Sequence, residues 1–173
     1  MSSVRIFCFQ ALIAILGTAN AQSPEIDFEP LLAGGLPKFS STQIEALTKE
    51  FNRPLEGTAL NEGRASASNA ILRVVRAMAC SDSDMPIKDR LKDLLPEGRA
   101  GNTYISPKIG MKYHPAATCL SVQKTSDWRM EAKNAIAFRV LYNSDESGAS
   151  KHQKYVFMRQ PDGSWLLKSM TPW

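Results

Sequence analysis

The chain of 173 residues has only two histidines and three cysteines, and this shortage limits the chemistry that it can perform. The sequence contains no H-E-x-x-H zinc-protease motif, no G-x-S-x-G nucleophile elbow and no C-x-x-C redox pair. It also lacks a phosphate-binding glycine loop and a Rossmann fingerprint. We therefore predict a non-catalytic protein without a cofactor, and we assign no catalytic or cofactor-binding residue.

The two histidines are the remaining candidates for acid–base chemistry near neutral pH. His114 precedes Pro115 in a predicted loop, and His152 begins a predicted strand. Either could act as a base, but isolated histidines of this kind are more often exposed surface residues. We favour the surface interpretation.

Residues 1–21 have the three-part pattern of a secretory signal peptide. A short positive start is followed by the mostly apolar stretch 6–17 and by the small-residue end T-A-N-A, which predicts cleavage between Ala21 and Gln22. The apolar stretch is short for a membrane span, and no second stretch is long enough. We predict a periplasmic or secreted protein without a transmembrane segment; the alternative is an uncleaved N-terminal anchor helix.

Two cysteines, Cys80 and Cys119, remain after this cleavage. Two thiols in an exported chain usually pair, and closing a loop of about 40 residues stabilises by about 4 kcal/mol on the chain-entropy model. The alternative is a metal site with His114 and His152, but the tight paired spacing of such sites is absent. We predict a Cys80–Cys119 disulfide and no metal-binding residue.

The net charge of +4 raises the question of nucleic-acid binding, and the distribution of charge argues against it. Residues 22–60 carry three Lys/Arg and six Asp/Glu, whereas residues 61–173 carry seventeen and eleven. The basic residues are interleaved with acids and form no stripe, so we predict no nucleic-acid partner. The uneven charge suits an acidic arm that lies along a basic body, or a body that meets an acidic envelope partner or an anionic membrane surface. The alternative is that the asymmetry has no role.

The mature chain is predicted to contain helices first and strands second. Three prolines and a Gly-Gly pair in residues 22–39 predict an irregular arm, followed by a single domain over residues 40–173. Ser40 and Gln43 match a capping box for a first helix. A second helix is predicted to begin between Asn61 and Ser68 and to end near Cys80. A short third helix is predicted from the stripe Ile87, Leu91, Leu94 and Leu95.

After Gly101 the apolar period changes to two, which indicates strands. Turn signals at residues 125–127, 143–150 and 161–164 separate the alternating runs. We predict four antiparallel strands joined by hairpins and covered on one face by the helices, which is an α+β fold. The predicted disulfide then joins a helix end to a strand start.

The apolar stripe 71–79, the strand pair around 129–142 and 151–160, and the closing run G-S-W-L-L resemble the NTF2-like (cystatin-like) superfamily over residues 60–171. This resemblance is one of pattern and topology. It implies about three N-terminal helices packed on a bent four-stranded sheet, with a cone-shaped cavity between them. Some enzymes of that fold use an acid and a tyrosine in the cavity. The sheet-side acids here are Asp127, in a predicted turn, and Glu131, predicted to point outward.

The second face of the predicted sheet is also partly apolar, and a sheet that is apolar on both faces is usually covered on both. We predict a partner-binding face made of Leu141, Val156, Met158, Leu166 and Met170. The favoured function is an exported binding protein that engages a protein partner in the cell envelope, as an assembly component or an inhibitor-like (immunity) partner. The alternative is a small-molecule carrier or an enzyme that uses the cone cavity.

Overall fold

The computed structural model describes residues 26, 28–31, 38–81, 89–96, 106–109, 111, 115 and 117–172. Its main elements within these residues are two long α-helices and a four-stranded antiparallel sheet. The elements are α1 (Ser41–Asn52), α2 (Thr58–Cys80), β1 (Ser121–Ala132), β2 (Ala135–Asn143), β3 (Ser150–Arg159) and β4 (Trp165–Pro172). The strands are hydrogen-bonded in chain order, which confirms an α+β fold with a hairpin-connected sheet. Within the described residues no helix is both long and apolar enough to cross a bilayer. The signal-peptide prediction and His114 fall outside them.

Helix α1 begins at the predicted capping box. The Ser40 hydroxyl accepts the Gln43 N–H at 3.2 Å, and the Gln43 side-chain oxygen accepts the Ser40 N–H at 2.9 Å. The same Gln43 amide donates to the Cys119 carbonyl and to the Ser121 hydroxyl. The cap therefore also attaches the start of α1 to the start of β1.

Helix α2 ends at Cys80 as predicted but begins at Thr58, earlier than the apolar pattern indicated. Its first two turns are mostly polar and small, so they carry no stripe that periodicity could detect. Gly57 has a φ of 90°, which favours glycine and lets the chain turn sharply into the helix. Asn61, in the first turn of α2, binds both the N–H and the carbonyl of Leu55.

Only the later part of the predicted third helix lies in the described residues. Residues 89–91 are helical, and they continue into a 3₁₀ turn at Lys92–Leu94. Leu91 and Leu94 are buried and Leu95 is half-buried, whereas Ile87 of the predicted stripe lies outside the described residues. In the N-terminal arm, Ile26 and Leu31 are also part of the core.

The turn predicted at residues 125–127 is wrong, because these residues lie inside β1. A register shift between Ser126 and Arg129 marks a β-bulge, and Asp127 there has a φ of 52°. Short polar residues suit both a turn and a bulge, so composition alone does not separate the two. The turns at 143–150 and 161–164 lie between strands as predicted.

The end of α2 is joined to the start of β1 covalently and by hydrogen bonding. The structure contains the predicted Cys80–Cys119 disulfide, and the Leu120 N–H donates to the Ala79 carbonyl at 2.9 Å. Both cysteines are buried. The disulfide thus connects the helical layer to the sheet.

Four of the five residues predicted for the partner-binding face point away from the helices, and Met170 does not. Cross-strand pairing places Ala137 opposite Val156 and Met158 opposite Leu166 on the outer face. Met170 pairs with the buried Tyr155 and packs against the core instead. A register shift between Val156 and Phe157 displaces the β4 alternation by one residue, which simple counting along β4 misses.

Candidate functional site

Aromatic rings occupy the space between the helices and the sheet. The Trp128 and Phe138 rings are stacked with centroids 4.2 Å apart, and Phe51 of α1 meets Trp128 edge-on at 5.9 Å. Phe138 in turn stacks on Tyr155 and on Phe157. In the described part of the chain, side chains therefore fill the position at which the resemblance implied a cone-shaped cavity.

The polar groups in this interior are bound to one another. The hydroxyl oxygens of Tyr142 and Tyr155 lie 2.7 Å apart, and the Tyr155 hydroxyl also donates to the Gln153 side-chain oxygen at 3.2 Å. Burial raises the pKa of both tyrosines well above the ordinary value, so both hydroxyls stay protonated at neutral pH. We therefore interpret this cluster as structural.

The acids and the described histidine that sequence analysis singled out are not brought together. His152 is exposed on β3, opposite Leu141. Asp127 forms an ion pair with Arg139 at 2.8 Å, and Glu131 binds Lys154 and Arg129 at 2.9 Å each. Within the described ranges no group of three or more His, Cys, Asp or Glu side chains is placed to hold a metal ion.

An open groove of about 730 Å³ lies between the α1–α2 connection and β1, the strand at one edge of the sheet. One wall is the loop 53–57 with the first turn of α2, and the other is the bulged part of β1. The apolar lining consists of Pro54, Leu55, Ala59, Leu60, Trp128 and Met130. The charged lining consists of Arg53, Glu56, Lys124, Asp127 and Arg129.

Hydrogen bonds from α2 fix the loop wall of this groove. Arg64 donates to the Arg53 carbonyl at 2.6 Å and to the Asn61 side-chain oxygen at 3.2 Å. Asn61 also donates to the carbonyls of Leu55 and Gly57. The loop is therefore held in place without a ligand.

Glu50 of α1 fixes the strand wall at the bulge. One Glu50 carboxylate oxygen accepts both the backbone N–H and the hydroxyl of Thr125, at 2.6 and 2.9 Å. Arg53 donates to the Thr125 carbonyl at 2.8 Å, and the Trp128 indole N–H donates to the Thr125 hydroxyl at 2.9 Å. The edge of β1 is thus closed to further strand pairing at Thr125.

A buried cation lies next to the groove. The Arg64 side chain is on α2 with 6% exposure, and its guanidinium carbon lies 6.0 Å from the centre of the Trp128 ring. Its Nε has no hydrogen-bond partner. Burial, reinforced by the Arg53 charge, lowers the pKa of Arg64, and Glu50 partly opposes this effect.

The outer face of the sheet is less apolar at its surface than its sequence indicated. Val156 is only 4% exposed, and Leu141, Met158 and Leu166 are half-buried. Long charged side chains form ion pairs across this face, Arg139 with Asp127 and Lys154 with Glu131. Among the described residues, Ile109 is the one large apolar side chain that is truly exposed, at 37%.

Sequence reasoning missed the groove because its walls come from two segments, 53–60 and 124–130, that are far apart in the chain. Pro54 and Gly57 marked the loop and Trp128 the strand, but no pattern indicated that they face one another. Comparison of the chain with protein-family models, with curated proteins and with solved structures finds no match.

Proposed function

We propose that the chain is an exported, non-catalytic binding protein that engages a protein partner in the cell envelope, as an assembly component or an inhibitor-like partner. Export, with cleavage between Ala21 and Gln22, is supported by the Cys80–Cys119 disulfide, because such bonds persist in oxidising compartments. Asp127 and Glu131 are engaged in surface ion pairs and His152 is exposed away from them, which supports a binding role over catalysis.

The open groove beside β1 is the observation that carries this proposal. It combines a half-buried apolar floor of Leu60, Trp128 and Met130 with charged rims, as the core and rim of a protein interface do. Its walls are fixed by hydrogen bonds, so binding a partner segment costs little ordering of this protein. We place the partner contact here.

The finer fold assignment, an NTF2-like or cystatin-like fold with a bent sheet, is also a proposal. It is supported by the long α2, the hairpin-connected sheet and the bulge in β1, because bulges bend strands. On this assignment the interior of the cone is packed and the binding surface lies at the edge of the sheet.

A small-molecule carrier remains the second candidate, and the groove volume favours it. About 730 Å³ lies in the range of drug-sized ligand pockets, which is roughly 300–1,000 Å³. Such ligands are mostly enclosed by the proteins that bind them, whereas this groove is open to solvent. Its shape therefore suits a segment of a larger partner better.

Site-specific photo-crosslinking in cells of the native source tests the protein-binding proposal. A photoreactive residue at Ala59, which is exposed in the groove, should crosslink to one protein. The same probe at Leu166 on the outer face should not. A photoreactive residue at Lys124 should form an adduct with the same protein. This adduct should disappear in a variant that also carries Ala59→Trp, because the indole fills the groove.

The alternative results have clear meanings. Adducts from Leu166 alone place the contact on the outer face and contradict the groove. Adducts from none of the three probes contradict protein binding altogether. A groove adduct that survives Ala59→Trp shows that neighbouring surface, not the groove, makes the contact.

A further inference from the structure

We infer that the groove selects a partner segment in which an acidic side chain lies next to an apolar one. This inference rests on the proposed function and adds the chemistry of the segment that is bound. It follows from the charges that remain after the internal ion pairs are removed, and from the shape of the apolar floor.

Most charges around the groove are already paired within the protein. Arg53 pairs with Glu50 at 3.0 Å, Arg129 with Glu131, and Asp127 with Arg139. Glu131 is shared by Arg129 and Lys154, so these pairs together leave a small net positive charge beside the groove.

Among the described residues around the groove, Lys124 and Arg64 are the cations that make no direct contact with a carboxylate. Lys124 is exposed on the strand wall. The hydrogen bonds of Arg64 go to neutral oxygens, the Arg53 carbonyl and the Asn61 amide. Because Arg64 is buried, water screens its charge poorly, and the part of that charge that Glu50 does not offset acts on the helix side of Trp128. Lys124 lies on the other side of β1, opposite Leu141, so the groove has one exposed cation on its outer side and one buried cation on its helix side.

Glu56 is the opposing charge on the loop wall, and it reduces the preference without reversing it. Its side chain is exposed, so water and salt screen it strongly. The exposed Glu56 carboxylate therefore opposes two cations, the exposed Lys124 and the buried Arg64. Replacing Glu56 by glutamine should therefore strengthen the binding of acidic segments.

The apolar half of the specificity comes from the groove floor. Leu55, Leu60, Trp128 and Met130 are half-buried and offer contact to one large apolar side chain. The Thr125 N–H and carbonyl are occupied by Glu50 and Arg53, so a segment cannot pair with β1 there as an additional strand. At Thr125 the segment is therefore recognised through its side chains, whose charge then contributes to selection.

Selection from a random 12-residue peptide library displayed on phage, with the full protein immobilised, tests this inference. Groove binders are defined as clones whose binding is lost on the Ala59→Trp variant. They should be enriched in Asp or Glu beside a Leu, Ile, Phe or Trp. Synthetic peptides of the enriched class should bind Lys124→Glu roughly fivefold more weakly, since an attraction becomes a repulsion.

The matched control is Lys133→Glu, which makes the same charge change in the exposed turn between β1 and β2. This variant should bind like the unmodified protein, and the Lys124→Glu effect should shrink in 1 M salt. Groove binders without acidic enrichment, or equal losses with both variants, overturn the inference and leave the proposed function intact. Recovery of no groove binder at all counts against the proposed function itself.

Discussion

The two faces of the sheet are formed by the same four strands, yet they are closed in different ways. The core face is covered by α1 and α2 and filled with stacked rings, among them Phe138 and Tyr155. The outer face is covered by its own long charged side chains, held in ion pairs such as Lys154–Glu131. Neither face is an open apolar surface among the described residues, and the groove lies at the edge between them. Apolar spacing on both faces of a strand therefore does not by itself indicate a partner.

The sharpest test of this comparison is to remove one large side chain from each face of β2. Phe138→Ala should cost about 5 kcal/mol of unfolding free energy, because a buried ring in contact with three other rings is lost. Leu141→Ala, on the outer face of the same strand, should cost roughly 1 kcal/mol. Urea unfolding measures both losses. Similar losses would mean that the outer face is packed like a core.

Removing the disulfide tests how strongly the stability of the protein depends on the link between the helical layer and the sheet. Replacing Cys80 and Cys119 together by alanine should cost about 4 kcal/mol on the chain-entropy model for this loop length. In the presence of a reductant, the unfolding free energy of the unmodified protein should fall by a similar amount. The unfolding free energy of the double variant should not change. A double variant as stable as the unmodified protein would contradict the role of this link.

The tyrosine pair tests whether the polar groups of the core face are structural. Tyr155→Phe should cost about 2 kcal/mol, because the Tyr155 hydroxyl contacts both Tyr142 and Gln153 in a buried site. Tyr142→Phe should cost about 1 kcal/mol, because the Tyr142 hydroxyl makes one contact. The urea midpoints of the two variants give the comparison. Equal costs would show that the Gln153 contact contributes nothing.

The order of the elements was predictable, because each signal is local in the sequence. The Ser40–Gln43 box, the stripe ending near Cys80 and the alternation in β2 each depend on neighbouring residues alone. The disulfide was predictable from the number of cysteines together with the predicted export. These features did not require knowledge of the tertiary structure.

The groove and the true composition of the outer face were not predictable in the same way. The β4 register shift that moves Met170 to the core face depends on pairing with β3. The bulge at Asp127 is supported by Glu50 of α1, far away in the sequence. The ion pairs on the outer face join side chains of different strands, which alternation counts only as polar residues. Such features depend on contacts between distant segments.

The ion pairs on the outer face should make the smallest contribution to stability, and it should depend on pH. Hydrogen bonding from Lys154, and then from Arg129, lowers the pKa of Glu131. A carboxyl whose pKa is lower in the folded state stabilises above the unfolded pKa of about 4.3, and this stabilisation is lost as the pH falls through the folded pKa. Glu131→Gln should therefore lower the unfolding free energy by at most about 1 kcal/mol at pH 7 and hardly at all near pH 2.

Glu146→Gln is the matched control for this experiment, because Glu146 is exposed in the turn between β2 and β3. It should be neutral at both pH values, and 1 M salt at pH 7 should reduce the Glu131→Gln loss. A loss that stays the same in acid would mean that Glu131 stabilises through packing of its side chain over the strands. The outer face would then resemble the core face in its energetics, and the contrast between the two faces would be one of composition alone.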